Sequence, residues 1–298
     1  RMMQFTISRA TLTSRIAGIF ALVLLGVLAA SASYIAAPAA VRPLNYFDAA
    51  PAAARYAAGR PRGQSALLAL LPRHLAEALP VARALDVGCG TGHSTVALRP
   101  FAREVIGLDP SSFMLAQAPR VEGVSYRKGH AEALPFGRSE FDLISVATAY
   151  HWFDQEAFLA EAGRVLRPGG WLLLYKTGST GALPGNVRFT SWWQQVFRAR
   201  YPKVARNEDP LDTARAAQFG FAEVVHESGE RRAEVELDAH VENLLTHSSV
   251  IRGLTQRGET VPEARAWLRT GLAPFFPGGG ALVTFHDWLH LWRRSPAP

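Results

Sequence analysis

A single cysteine, Cys89, is present in 298 residues, so no disulfide within the chain and no cysteine-built zinc cluster can form. No other metal-ligand spacing stands out, and no metal site is expected. Lysine is almost as scarce, at Lys128, Lys176 and Lys203 only. The net charge of +7 is therefore carried by arginines. They are scattered, with no basic run of five or more and no aromatic residues interleaved with one, which argues against a nucleic-acid-binding stripe. No internal repeat occurs, and no low-complexity tract beyond the alanine-rich N-terminus. What remains is an ordinary globular balance of 48% apolar and 19% charged residues, long enough to bury a core without a disulfide or metal staple.

Residues 1–41 form a hydrophobic N-terminal segment. Arg1, Arg9 and Arg15 precede an uncharged stretch over 16–41, strongly apolar over 16–30, and Ser31, Ala32 and Ser33 follow. The segment reads as a membrane anchor, a cleaved signal peptide or a reading frame begun too far upstream. Residues 16–37 are long enough for one span of about 20 residues and for membrane association. Arg42, Arg55, Arg60 and Arg62 flank the other side, so the positive-inside count leaves orientation open.

Residues 42–298 read as the catalytic domain. Helical spacing covers 65–79. Short apolar runs then alternate with helical patterns. The runs are at 84–88, 104–109, 124–129, 141–148 and 171–176. Helices are expected from the glycine-rich turn to about residue 102, over 111–118 with Ser111 as cap, and over 154–166, ended by Pro168-Gly169-Gly170. Residues 177–215 read as helices with loops, 221–227 as a strand, 239–257 and 262–273 as helices, and 281–292 as a last strand. This alternation predicts an α/β fold, a parallel sheet with helices on both faces.

The chemistry is concentrated in LDVGCGTGHSTVAL (85–98), where the first strand turns into the first helix. Open parallel sheets bind ligands outside the carboxyl ends of their strands, at such turns. Gly88, Gly90 and Gly92, with Cys89 between them, form the expected floor of a cofactor site, and backbone N–H groups at the helix start suit a carboxylate. The dinucleotide fingerprint needs a third glycine at position 93, which is histidine. The G-x-G-x-G spacing favours S-adenosylmethionine over a nicotinamide cofactor. Asp86 is expected to face the amino group of the methionine moiety. Asp109, closing the second strand before Pro110, is placed to accept hydrogen bonds from both ribose hydroxyls. A bare strand–helix turn without a ligand does not account for an acid at that spacing.

Two further blocks line the same sheet edge. GHAEALPF (129–136) follows the third strand, with Ala131 offering a backbone N–H and Glu132 or His130 near the adenine amine. FDLISVATAYHWFD (141–154) ends the fourth strand beside the donor methyl. His151 is the candidate catalytic base or orienting group there.

The blocks LDVGCGTG, GLD, GHAEALPF, FDLI, HWFD and RVLRPGG, in this order, resemble the class I S-adenosylmethionine-dependent methyltransferases of the type 11 group. FDAAPAAARYAAGRP (47–61) and HWFD look most like the trans-aconitate methyltransferase-like enzymes. The resemblance covers about residues 45–176. It implies a Rossmann-like three-layer sandwich with a mostly parallel seven-stranded sheet, an antiparallel last strand and a substrate-side helical insertion within 177–275. It implies methionine-end contacts from Asp86, Gly88, Gly90 and Gly92, a ribose contact from Asp109 and adenine contacts from Ala131 and Glu132. It also implies an N-terminal arm bringing Tyr56 and Arg60 over the cofactor. His130 departs from the aspartate common in relatives.

The expected acceptor is a small molecule methylated on a carboxylate or hydroxyl. Arg188, Arg198 and Arg252 are candidates to hold a carboxylate, and Tyr150, Trp152, Trp192 and Trp193 to line an apolar pocket. A membrane lipid or quinone acceptor, and a non-catalytic S-adenosylmethionine-binding regulator, are the competing readings. Because this cofactor is made and kept inside cells, the domain is expected on the cytoplasmic side, anchored to the inner membrane by its N-terminal segment.

Overall fold

Seven strands build one sheet in the order β3-β2-β1-β4-β5-β7-β6. They are β1 Val81–Val87, β2 Ala102–Asp109, β3 Val124–Lys128, β4 Phe141–Ala147, β5 Leu166–Ala182, β6 Phe221–Glu236 and β7 Gly280–Arg294. The first five pair in parallel, and β7 runs antiparallel to both its neighbours, β5 and β6. This is the expected Rossmann-like sheet. The computed structural model describes residues 46–60 and 64–296. The hydrophobic segment of residues 1–41, with its predicted span, lies outside the described residues. Among the described residues no helix is long and apolar enough to cross a membrane.

The helices are α1 Ala50–Gly59, α2 Gln64–Leu68, α3 Leu71–Leu75, α4 His93–Leu98, α5 Ser112–Leu115, α6 Gln155–Val165, α7 Val187–Trp192, α8 Thr213–Gln218, α9 Leu237–Leu245, α10 Ser248–Arg257 and α11 Val261–Leu272. Neighbouring strand residues alternate between two cores. Ile144 and Leu172 pack with Phe158, Leu159 and Ala162 of α6. Leu143 and Leu173 pack with Leu68 of α2 and Leu71 and Leu75 of α3. Both faces of the central strands are covered, which is why these strands read as continuous apolar runs. A third cluster joins Phe189 of α7 and Trp193 just beyond it to Leu244, Leu254 and Leu268 of α9, α10 and α11.

Three departures from the sequence pattern have physical causes. Residues 239–257 form two helices, because Thr246 and His247 interrupt them. Thr246 Oγ1 donates to Asn243 O at 2.6 Å, the local competition with the backbone that hydroxyl side chains offer. Residues 111–118 yield only the short α5, with the Ser111 side chain accepting from Met114 N as foreseen. Strand β6 runs nine residues beyond 227 through a charged stretch. It is an edge strand there, with Ala233 and Val235 packed on the helical layer and Glu230, Arg232, Glu234 and Glu236 exposed. Such edge charges oppose pairing with another chain.

Candidate functional site

The turn from β1 into α4 is forced into one shape by its glycines. Gly88, Gly90 and Gly92 have φ of 71°, 55° and 78°, the left-handed region that side chains disfavour. Space is as restrictive as backbone angle. A Cβ on Gly88 would lie 2.6 Å from Ala149 Cβ, and one on Gly92 would lie 2.5 Å from the Tyr126 hydroxyl. Gly107 in β2, which sequence reasoning missed, is bound by the same crowding. A Cβ there would fall 2.8 Å from Tyr126 and 2.9 Å from both Cys89 Sγ and Thr95 Oγ1. Only the folded sheet brings these side chains onto it.

Asp109 stands at the carboxyl end of β2, directly beside this turn. Its Oδ2 accepts from Gly90 N–H at 2.8 Å and its Oδ1 from Ser111 N–H at 2.9 Å. Burial raises its carboxyl above the ordinary range, the two backbone N–H groups oppose this, and Asp48 on the arm adds to the rise. Each carboxylate oxygen retains acceptor capacity beyond one hydrogen bond. Pro110 follows, half-buried, and ends the strand.

Asp86 stands near the end of β1, next to the glycine turn. Its side chain is fully buried. Oδ2 accepts from Ser94 Oγ at 2.6 Å and Thr95 Oγ1 at 2.8 Å, and Oδ1 from Ser145 Oγ at 3.2 Å. These hydroxyls bind the carboxylate to α4 and β4, so it shapes the turn, while Oδ1, with its single long bond, keeps acceptor capacity. Desolvation lifts its pKa to about 6 against this support. Cys89 is buried, and desolvation pushes its thiol well above its ordinary value, leaving it uncharged and unreactive.

Two residues expected near adenine, Ala131 and Glu132, follow β3. Ala131 is buried at the end of the sheet. Glu132 Oε1, however, accepts from Asp154 N–H at 3.0 Å. It ties its loop to the start of α6, and this oxygen is engaged with backbone. The N-terminal arm lies across the end of β2. Ser111 Oγ donates to Phe47 O at 3.4 Å, the Phe47 and Tyr56 rings meet edge to face at 5.3 Å, and the Arg60 guanidinium stands 5.3 Å from the Tyr56 ring centroid.

Where the acceptor is expected, beyond β4, the structure assembles cations around His151. Arg206 Nη1 donates to His151 Nε2 at 3.1 Å, its Nη2 to Ser248 Oγ at 3.0 Å, and its guanidinium lies over the Trp152 ring at 5.0 Å. Arg206 Nε is buried with no partner. Burial, followed by the charges of Arg206, Lys176 and Arg60, drives the His151 pKa down to about 3. A guanidinium can only donate, so Nε2 must be the accepting nitrogen and Nδ1 carries the proton. Neutral His151 then has no free lone pair, which corrects its expected role as general base. Burial also depresses His247, helped by Arg60, His240, Arg198 and Arg206. Lys176 is lowered by burial first, with Glu208 acting against it.

Other acceptor-side expectations separate. Tyr150 is a core residue, edge-on to Phe153 and Phe158. Trp192 stacks on Trp267 at 5.9 Å and packs near Phe275 in the helical layer. Trp193 stacks on Phe197 at 4.2 Å there. Arg252 donates to Pro202 O at 3.0 Å and Lys203 O at 3.3 Å, fastening a loop. Arg188 is exposed. Trp152 and Arg198 belong with the cations. Arg206, the group that organises them, lies in an aperiodic loop that carried no sequence signal.

Residues 85–174 match the family model described as Methyltransferase domain. A candidate methyltransferase of Dictyostelium discoideum is 34% identical over 119 residues, covering 40% of this chain and 44% of that protein. Malonyl-[acyl-carrier protein] O-methyltransferase of Enterobacter lignolyticus is 34% identical over 156 residues, 51% of this chain and 58% of that protein. The chain thus spans about half the length of these curated relatives. A solved structure, that of a candidate type II methyltransferase from Anaeromyxobacter dehalogenans, superimposes with a TM-score of 0.60 at 26% identity over 80% of this chain and 98% of that one. Residues 85–174 are accordingly similar to a methyltransferase domain, and they lie in a Rossmann-like sheet.

Proposed function

We propose that this protein is an S-adenosylmethionine-dependent methyltransferase that O-methylates a small acceptor bearing a carboxylate. The observation that carries the acceptor class is Arg206 donating to a neutral His151, with the charges of Lys176 and Arg60 also acting on that histidine and Glu208 the carboxylate that opposes them. The resemblance of the arm and of HWFD to trans-aconitate methyltransferase-like enzymes agrees with this reading, as does the relative named for O-methylation of a malonyl group.

The residues fit the cofactor. The glycine turn has no room for side chains where a ligand must approach, Thr91 Oγ1 is buried there without a partner, and Asp109 holds a carboxylate at the adjoining strand end. Asp109 would hold the ribose, the 88–92 turn the methionine end and the Ala131 backbone the adenine. When bound, S-adenosylmethionine supplies an electrophilic methyl group on a sulfonium.

The chain's own part is to bring the acceptor oxygen into line and exclude water, which contributes on the order of 7–11 kcal/mol at best. A carboxylate acceptor is already deprotonated, so no base is needed. That agrees with a His151 whose accepting nitrogen is occupied by Arg206. His151 instead steers the Arg206 fork, whose buried Nε has no partner of its own. Trp152 beneath the guanidinium fixes its plane. A phenol or alcohol acceptor would require a proton acceptor that this arrangement does not offer.

The test is methyl transfer by the full chain to a panel of small di- and tricarboxylic acids, phenols and quinols, read by mass spectrometry. Methyl esters are expected, with Arg206→Gln raising KM at least tenfold. Turnover of phenols or quinols with no ester formed from any acid would overturn the acceptor class.

A further inference from the structure

Far from the glycine turn in sequence, strands β6 and β7 carry a second group of side chains that methyl transfer does not use. Glu223, His226 and His290 each direct one donor atom so that the three atoms lie within 4.8 Å of one another. The arrangement depends on an irregularity in β6. Plain alternation would set Glu223 and Val225 on one face and His226 on the other. The register shifts between Glu223 and Val225, and the extra residue turns Val225 into the core on the α2 side. Glu223 and His226 then share a face. His226 pairs directly with His290 and Glu223 with Trp292, so His290 completes the group from the neighbouring strand.

The bonding within the group is weak. The two imidazoles stack at 4.5 Å between centroids. His290 is 8% exposed. Its Nε2 faces Glu223 Oε1 at 3.3 Å, within ion-pair reach but poorly aligned for a hydrogen bond. Buried polar atoms are rarely left this way unless something else binds them. Glu223 and His226 are exposed, so an ion can enter from solvent.

We propose that Glu223, His226 and His290 form a binding site for a divalent cation of the zinc class. Two imidazole nitrogens and one carboxylate are the borderline nitrogen and oxygen donors that suit Zn²⁺, Co²⁺ and Ni²⁺ better than Mg²⁺ or Ca²⁺. Three protein ligands leave a position for water. The ion would join the bulged edge strand β6 to β7, fixing a register that backbone pairing alone leaves irregular. It stands apart from the cofactor turn and takes no part in methyl transfer.

The test is calorimetric titration of Zn²⁺ into the chelator-stripped full chain, with Co²⁺ absorption and thermal unfolding alongside. One Zn²⁺ per chain, visible Co²⁺ bands and a raised Tm are expected. His226→Ala and Glu223→Gln, both at exposed positions, should weaken Zn²⁺ binding at least tenfold and abolish the Tm rise. His74→Ala should leave it unchanged, because His74 pairs with Glu227 at 2.8 Å instead. No stoichiometric uptake by the wild-type chain, or equal affinity in His226→Ala, would overturn the proposal.

Discussion

Asp109 and Gly90 are joined across the end of the sheet by a 2.8 Å hydrogen bond from the Gly90 N–H to the Asp109 carboxylate. The acid proposed to hold the ribose thereby also holds the middle of the turn proposed to hold the methionine end. Cofactor affinity and turn geometry are coupled through one side chain. Asp109→Ala is expected to weaken S-adenosylhomocysteine binding at least tenfold, since each hydrogen bond to a charged acceptor is worth about 1.5–3 kcal/mol. Calorimetric titration of the variant beside the wild type checks this, and unchanged affinity would remove Asp109 from the cofactor site.

His151 should leave no trace in the pH–rate profile. With its pKa near 3, it stays neutral through the physiological range, and kcat/KM should show no histidine limb between about pH 5.5 and 8. His151→Asn is expected to raise KM for the acid acceptor more than it lowers kcat, because it frees Arg206 from its partner. An acid limb near pH 6.5 that disappears in His151→Asn would restore the role of general base.

Asp86 makes a stability prediction with a definite sign. Its carboxyl titrates at about 6 in the folded chain and near 3.8 when unfolded. Between those values the folded state holds a proton that the unfolded state has released. Its contribution therefore favours folding at low pH and is lost as pH rises from about 4 to 6. At about 1.4 kcal/mol per unit the full effect is on the order of 3 kcal/mol. Urea unfolding should show Asp86→Asn gaining stability relative to wild type between pH 4.5 and 7. A constant difference across that range would contradict the burial argument.

Thr148, directly after β4, has φ of 57°, a conformation in which a β-branched residue is strained. Its backbone is fixed there by donation to Tyr175 O at 2.9 Å. Such strain is worth about 1–3 kcal/mol, whereas added glycine freedom in the unfolded chain costs about 0.4–1 kcal/mol. Thr148→Gly is thus expected to raise Tm by a few degrees, measured by calorimetric melting. A lowered Tm would mean that the threonine side chain contributes contacts exceeding the strain.

The class of fold and the glycine turn were legible in the sequence because both rest on local rules. Continuous apolar runs such as 104–109 announce strands buried on both faces, and left-handed angles at 88, 90 and 92 demand glycine wherever the rest of the chain lies. The spacing from Asp86 to Asp109 spans one β–α–β unit, so it too is a short-range property. The tertiary structure decided what is non-local. It turned Asp86 inward onto Ser94, Thr95 and Ser145, took Glu132 to the Asp154 backbone, and placed Trp192 and Arg252 in packing and loop-fastening roles. It brought Arg206, Lys176 and Arg60 together from three separate segments around His151, and it shifted β6 by one residue to bring Glu223 beside His226 and His290. Periodicity records which face a residue lies on, and charge clusters, pKa values and ligand groups arise from which faces meet.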